Sequence, residues 1–215
     1  MATGVFITLE GPDGSGKSSQ MRLLVEFLSQ KGYQVFATRE PGGTRISDQV
    51  RQVLLNRMEN QEMHPRTETL LFCASRAQLV EEIIRPRLQR GEIVISDRYA
   101  DSTLAYQGYG HQRELQPLVE LLNYTTGGLS PDLTLLLDVD PQTGLSRRRD
   151  GGEEWNRLDA YALAFHQRVR QGYFEMSRQQ PHRWCTIDAS LSMDAVQDAM
   201  RVAVLERLQL LVNRA

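Results

Sequence analysis

Gly11-Pro12-Asp13-Gly14-Ser15-Gly16-Lys17-Ser18 is the stretch on which the reading of the fold turns. It fits the spacing G-x-x-x-x-G-K-[ST], which average composition yields by chance at below roughly one per cent over a chain of this length. Its flanks agree with it. Val5, Phe6, Ile7 and Leu9 form the short apolar run of a strand buried on both faces. Met21, Leu24, Phe27 and Leu28 then recur at helical spacing until Lys31-Gly32 supplies a stop. A strand, a glycine turn and a helix start therefore meet at one point. Glycines let successive N–H groups turn inward around an anion, and the helix N-terminus adds partial positive charge. A loop of this kind, Gly11 through Ser19 here, binds a nucleoside triphosphate. Lys17 reaches its outer phosphates, and the Ser18 hydroxyl sits on Mg²⁺.

Outward from the loop, strands and helices alternate. Gln34 to Thr38 reads as a second strand, ending at Arg39-Glu40-Pro41-Gly42-Gly43-Thr44, a loop signal. Ile46, Val50, Val53 and Leu54 mark a helix, and Asn56 to Pro65 is a polar connection. Thr67 begins a long helix with Leu71, Leu79 and Ile83 on one side and a boundary or kink at Arg85-Pro86. Glu92 to Ser96 is a third strand that runs into Asp97-Arg98-Tyr99, and Leu115 to Asn123 is helical. Leu133 to Leu137 forms a fourth strand. A basic helix begins at Gly144 to Arg149, Gly151-Gly152 breaks it, and helix resumes over Leu158 to Met176. Trp184 to Ile187 is the last strand, and a helix fills the remainder. The expected fold is α/β, of the P-loop NTPase type: a parallel five-stranded sheet with helices on both faces. Ligands belong at the carboxyl ends of its strands.

Composition narrows the possibilities. The 215 residues suffice for one domain with a sizeable core and contain no linker-like stretch, so residues 1–215 read as a single domain. A net charge of −2 gives no basic field for nucleic acid. Cys73 and Cys185, the two cysteines, lie among apolar residues and read as buried free thiols of a reducing compartment. With no basic-then-apolar leader and no run of membrane-spanning length, a cytoplasmic protein is expected.

Four polar clusters follow strands: the phosphate loop, Arg39 with its neighbours, Asp97-Arg98-Tyr99, and Arg147-Arg148-Arg149. Asp97 is placed like the carboxylate that holds Mg²⁺ at the end of a second nucleotide-binding strand; a helix cap or local ion pair is its plainer reading. Arg98, Arg39 and Arg51 can converge on a second anion, since each offers a planar fork of donors that keeps its charge. The run Arg147 to Arg149 reads either as a solvated helix face or, with the break after it, as part of a lid at about 144–157 that folds over the phosphates. Arg157 follows the break. Phe72 and Arg76, four apart on the long helix, share a face. That pair suits a flat base, although from sequence alone a phenylalanine at such spacing is more often a core residue. Ser102, Thr103, Tyr106 and Gln107 add polar groups one turn from the Asp-Arg pair.

Taken together, Glu10-Gly11-Pro12-Asp13-Gly14-Ser15-Gly16-Lys17-Ser18, Thr38-Arg39-Glu40-Pro41-Gly42-Gly43-Thr44, Asp97-Arg98-Tyr99 with Asp101-Ser102 and Ala105-Tyr106-Gln107-Gly108, and Asn156-Arg157-Leu158-Asp159 resemble the thymidylate kinase family over nearly the full chain. The resemblance implies a nucleoside monophosphate kinase-like fold and transfer of the ATP γ-phosphoryl to dTMP, giving dTDP and ADP on the way to dTTP. It implies Mg²⁺ as cofactor and a homodimer built on helices that include the Phe72 helix. It places Arg39, Glu40, Arg51 and Arg98 in the dTMP site, Phe72 against thymine, and Arg76, Gln107 and Thr103 around the base. Tyr106 would pack where a 2′-hydroxyl would be, and Asp13 would meet the 3′-hydroxyl. Lys17, Arg98, Arg147, Arg148 and Arg149 are the implied catalytic set.

The chain departs from the family pattern at three places. Gly14 stands where one branch carries an arginine, which makes the sequence similar to the bacterial branch whose lid supplies it. Asp150-Gly151-Gly152-Glu153-Glu154 differs from the usual basic-then-Arg-Gly lid, and Asn156 replaces an acidic residue. The rival readings are a monophosphate kinase for another pyrimidine and a GTP-dependent switch; the latter lacks an Asn-Lys-x-Asp motif here.

Overall fold

The computed structural model describes residues 4–56, 63–150 and 161–212. Strands β1 (Val5–Glu10), β2 (Val35–Arg39), β3 (Ile93–Asp97), β4 (Leu133–Asp138) and β5 (Trp184–Asp188) run parallel in the order β2-β3-β1-β4-β5. The chain leaves β1 toward β2 on one side and later returns across it to β4 on the other. The crevice of this architecture therefore opens beyond the carboxyl end of β1, where the phosphate loop begins.

Side-chain alternation sorts the core into two layers. Ile7, Leu9, Ile93, Ile95, Leu135 and Leu137 face α1 (Lys17–Gln30) and α9 (Met193–Val212). From these helices Leu24, Leu28, Val196, Met200, Val204 and Leu208 supply stripes at four-residue spacing. On the other face Phe6 and Val94 meet Leu79, Val80 and Ile84 from the end of α3 (Pro65–Leu79) and the turn after it. There too, Leu136 meets Val169, Tyr173 and Met176 of α8 (Leu163–Gln179). Each such buried side chain contributes about 1.5–3 kcal/mol, enough in sum to fix which face of every strand points where. A polar thread crosses the second layer. Thr8 Oγ1 donates to Thr134 Oγ1 at 3.0 Å, and Arg183 donates to Thr134 Oγ1 and makes a two-pronged pair with Asp101 at 2.7 and 2.8 Å. That buried pair pins the segment just after Asp97-Arg98-Tyr99, and removing one partner from such a pair costs about 3–5 kcal/mol.

The strands end later than their apolar runs. Glu10, Arg39, Asp97, Asp138 and Asp188 all belong to the ladder, with Arg39 in register with Asp97 and Asp138 with Asp188. Backbone pairing ignores hydropathy, so each strand carries its terminal charge to the rim of the crevice. At the other end Gln34 and Glu92 precede the strands rather than belonging to them.

Two helix expectations are corrected and one is met. The long helix begins at Pro65, which needs no N–H partner there, rather than at Thr67. The boundary expected at Arg85-Pro86 is present: a π-helical turn over Val80–Ile84 leads into α4 (Arg85–Gln89), and Pro86 sits in the first turn of α4, where its missing donor is not needed. Tyr161 and Ala162 are not helical, so α8 starts at Leu163 rather than Leu158. Beyond these, α2 (Arg45–Leu55) leaves Ile46 and Val53 exposed and buries Leu54. The helix over the predicted basic segment, α7 (Pro141–Asp150), begins earlier than Gly144. Cys73 is buried as expected, whereas Cys185 is half-buried. The part of the expected lid from Gly151 to Arg157 lies outside the described residues. Among those described, no helix is long and apolar enough to cross a membrane.

Candidate active site

The phosphate loop is shaped by its glycines. Gly11, Gly14 and Gly16 have φ of 141°, 74° and 85°, and Gly16 is the N-cap of α1. A Cβ on Gly14 would lie 1.9 Å from the Gly144 carbonyl oxygen, and one on Gly144 would lie 2.2 Å from that of Asp13. The loop and the start of α7 thus touch backbone to backbone. No side chain fits at residue 14, so extra cationic charge has to reach the phosphates from another element. Lys17 Nζ folds over the loop, donating to Gly11 O at 3.1 Å, Pro12 O at 2.9 Å and Ser15 Oγ at 3.3 Å. Burial, then the Arg98 guanidinium, push its pKa down to about 8. Beside it, Ser18 Oγ donates to Asp97 Oδ2 at 2.6 Å, which joins the loop to the end of β3.

Lys17, Ser18 and Ser19 open onto a cavity of about 260 Å³ that receives Asp13, Gly14 and Gly16 from the loop and Asp97 and Arg98 from the end of β3. Its wall holds six cations, Lys17, Arg39, Arg51, Arg76, Arg98 and Arg148, against three carboxylates, Asp13, Glu40 and Asp97. A chain with net charge −2 has therefore concentrated positive charge at one place. Arg51 shows the crowding. Burial and then the Arg39 guanidinium lower its pKa, and its Nη1 donates to Pro41 O at 2.8 Å. Arg39 itself is half-exposed, 3.6 Å from Asp48.

Arg98 is the most constrained of the six. Its φ of 73° is unusual for a residue with a Cβ. The conformation is held on both sides: Arg98 N–H donates to Leu9 O at 2.9 Å, and the next N–H, of Tyr99, donates to Glu10 Oε1 at 2.8 Å. Its Nη1 donates to Ser102 Oγ at 3.1 Å and Tyr173 OH at 3.3 Å, and both hydroxyls in turn donate to Glu10 Oε2. Its Nη2 donates to Asp13 Oδ1 at 2.6 Å, while Tyr106 OH donates to Asp13 Oδ2, also at 2.6 Å. Burial drives Glu10 up to about 7, with Asp101 adding to the shift and Arg98 and the two hydroxyls opposing it. Burial acts the same way on Asp13, yet Arg98, Lys17 and the Tyr106 hydroxyl outweigh it and hold that carboxyl well below its usual range. Glu10 was legible as part of a motif but not as a support. Tyr173, on α8 and 75 residues from Arg98, carries no sequence signal that ties it to this group.

At the far end of the cavity, Phe72 is half-buried and belongs to none of the core clusters; it lines the cavity with Thr103, Tyr106 and Gln107. Arg76 is 1% exposed. Its Nε donates to Glu40 Oε2 at 2.8 Å and its Nη2 to Tyr99 O at 3.1 Å, and Nη1 has no partner among the described residues. Tyr106 and Gln107 come from a π-helical turn, Leu104–Gly110, that follows the short α5 (Ala100–Thr103). Gln107 Nε2 donates to the buried Glu68 at 2.6 Å.

The three arginines of α7 part company, as neighbours about 100° apart on a helix must. Arg148 lines the cavity, with Nη1 3.9 Å from Asp13 Oδ1. Arg147 turns away and donates to Ala189 O at 2.7 Å in the loop after β5. Arg149 is exposed and bonds Asp150 and Ser146 on its own helix. Of the expected trio, only Arg148 stands beside the phosphate loop in this structure.

A family model described as thymidylate kinase matches residues 9–200, from the end of β1 into α9. The chain belongs to the thymidylate kinase family. It is 49% identical over 207 residues to a thymidylate kinase of Exiguobacterium sp., covering 96% of this chain and 97% of that one. It is 50% identical to one from Roseiflexus castenholzii, covering 93% and 92%. The crystal structure of thymidylate kinase from Ehrlichia chaffeensis superposes with a TM-score of 0.74 at 34% identity, covering 96% and 99% of the two chains. The thymidylate kinase reaction moves the γ-phosphoryl group of ATP onto dTMP, giving dTDP and ADP, and this chain is an ATP-dependent enzyme of that kind. The P-loop α/β fold expected from the sequence is the one the family shares. The GTP-switch and other-pyrimidine readings are set aside.

Proposed function

We propose that the cavity is the dTMP site and the phosphate loop the ATP site, meeting at Lys17, Arg98 and Arg148. The observation that carries this is Arg98. A half-buried guanidinium, carried on a backbone of positive φ, is held between Asp13 of the donor loop and the hydroxyls of Ser102 and Tyr173 on the acceptor side. Its conformation is supported before any anion arrives, so little reorganisation is needed when a phosphate takes up its donors. Arg39 and Arg51 complete the phosphate pocket, and Asp13, once the guanidinium has a phosphate, is placed for the sugar hydroxyl. Tyr106 covers the sugar, Phe72 stacks on the base, and Arg76 and Gln107 bond its edge, with Glu40 behind Arg76 and Thr103 alongside.

Catalysis then rests on position and charge. The attacking oxygen belongs to a phosphate already anionic near neutral pH, so no strong base is required. The protein aligns two anions that repel each other and offsets the charge on the group in transit. Lys17 and the Gly11–Ser19 loop hold the donor, Arg98, Arg39 and Arg51 hold the acceptor, and Arg148 reaches the γ-phosphoryl from the side that Gly14 leaves bare. Ser18 and Asp97 offer Mg²⁺ two hard oxygens side by side, which fits an ion that takes one or two protein ligands and fills the rest of its shell with phosphate and water. Bound there, Mg²⁺ would offset charge on the β- and γ-phosphates.

The 215 residues act as one kinase domain in the cytoplasm, with a lid at about 144–157 that closes over ATP and excludes water. A homodimer forms through the outer face of α3 and α6 (Leu115–Thr126), where Leu70 and Tyr124 are exposed beside Pro117 and Leu121. The test of the whole reading is coupled ADP release with dTMP, dUMP, dCMP and dGMP as acceptors. It stands if turnover requires a monophosphate and is fastest with dTMP. It falls if ATP turnover is independent of the acceptor. Light scattering of wild type and Leu70→Glu checks the dimer.

A further inference from the structure

Behind the reading edge of the base pocket lies a buried acid, Glu68, that the reaction does not use. It sits on α3 with no exposure, and Gln107 Nε2 donates to its Oε1 at 2.6 Å. His111 Nε2 lies 3.7 Å from the same oxygen. A primary amide can turn over by 180°, exchanging a donor for an acceptor with almost no change of shape. A carboxylate, which only accepts, forbids that exchange: the amide nitrogen must face Glu68, and Oε1 is the atom left for the cavity that Gln107 lines. On the neighbouring position Arg76, its Nε and Nη2 occupied by Glu40 and Tyr99 O, can only donate.

We propose that Glu68 is a specificity-positioning residue, locking the Gln107 amide so that the pocket presents an acceptor beside the Arg76 donor. That pattern complements a pyrimidine with a carbonyl at C4 and a hydrogen on N3. It opposes one with an amino group at C4 and a bare N3, where both signs are reversed. The dislike of a cytosine-type edge is thus set one layer behind the contact residues, by a carboxylate that never touches the ligand. An unpaired buried polar group is what makes rejection by such a site strong. This inference rests on the assignment of this cavity end to the base.

The test exploits 5-fluoro-dUMP, whose N3 proton ionises within the assay range while that of dUMP does not. KM for each is measured from pH 7 to 8.5, and their ratio cancels effects common to both ligands, including titration of Lys17. In the wild type the ratio rises with pH, because a locked acceptor cannot bond an anionic N3. In Glu68→Gln the amide is free to turn and donate, so the ratio becomes flat and KM for dTMP rises about three- to tenfold with little change in kcat. Glu68→Asp, still acceptor-only, keeps the slope, and Glu68→Ala, a second neutral replacement, loses it. An unaltered slope in folded Glu68→Gln or Glu68→Ala overturns the role of Glu68. A flat ratio in the wild type overturns instead the placement of the base against Gln107, so the two failures are told apart.

Discussion

In the proposed assignment, the phosphate loop and the acceptor cavity solve the same problem, holding an anion, by opposite means. In the loop the ligating groups are mainly backbone N–H donors from consecutive residues, brought together by three glycines with positive φ. In the acceptor cavity they are side chains from β2, α2, α3, β3 and the π-helical turn after α5, converging from positions as far apart as Arg39 and Gln107. The loop is a local object that the strand and helix need only flank. The cavity exists only once five elements have packed, and it depends on outer residues such as Glu10, Tyr173 and Glu68 to aim its charges. The lesson is that a donor site read by backbone tolerates little change within itself, while an acceptor site read by side chains can be altered piece by piece.

The largest effect expected is at the junction. Arg148→Ala lowers kcat by about 10³-fold or more, the magnitude of a lost charge on a transferring phosphoryl group, while Arg147→Ala and Arg149→Ala stay within a few-fold. Steady-state kinetics on the three variants decides it, and equal losses would sink the assignment of Arg148. Next is Arg98→Ala, which raises KM for dTMP by about 100-fold and leaves ATP affinity nearly unchanged; equal weakening of both ligands in calorimetric titrations would erase the division into two sites. Phe72→Ala raises KM for dTMP by about tenfold with a small change in melting temperature, because Phe72 lines the cavity and not the core. A collapse in thermal stability would return it to the core.

Two smaller effects follow from protonation. Lys17 is lowered to about 8 by burial and the Arg98 charge, and ATP phosphates favour its charged form, so ATP binding at pH 8 takes up about half a proton. Titrations in two buffers of different ionisation enthalpy measure this, and no uptake would mean that Lys17 does not meet the phosphates. Glu10, raised by burial from 4.5 to about 7, holds a proton in the folded protein that the unfolded chain has released. Its contribution is complete below about pH 4.5 and is lost as pH rises through 7. Glu10→Gln therefore flattens the fall in melting temperature between pH 5 and 8, and an unchanged slope would show that another group causes it.

How much could be read before folding differs from place to place for physical reasons. Strand cores, the sheet class and the phosphate loop follow from near-neighbour pattern, since strands buried on both faces read as short continuous apolar runs and glycine marks a turn. The motif residues of the proposed acceptor site were legible as types, but spacing favoured the core for Phe72, and only the packed structure puts it at the cavity wall. The arginine run gave a helix and a charge, whereas its division among three directions depends on the rotation of α7 against the loop, fixed by the Gly14–Gly144 approach. The boundary at Arg85-Pro86 was legible because proline restricts the residue before it, whereas the π-helical turn that precedes it carries no such local signal.

By itself, then, the order of residues determined the class of fold, the phosphate-binding loop and the family, because each rests on contacts a few positions apart or on a whole-chain pattern. Only the tertiary structure decided which arginine stands beside the phosphate loop, what holds Arg98 in its unusual backbone conformation, and which group the Gln107 amide meets. Those outcomes depend on groups 39, 42, 75 or 89 residues away, Glu68, Ala189, Tyr173 and Glu10, that meet only when burying the apolar faces closes the sheet between its helices.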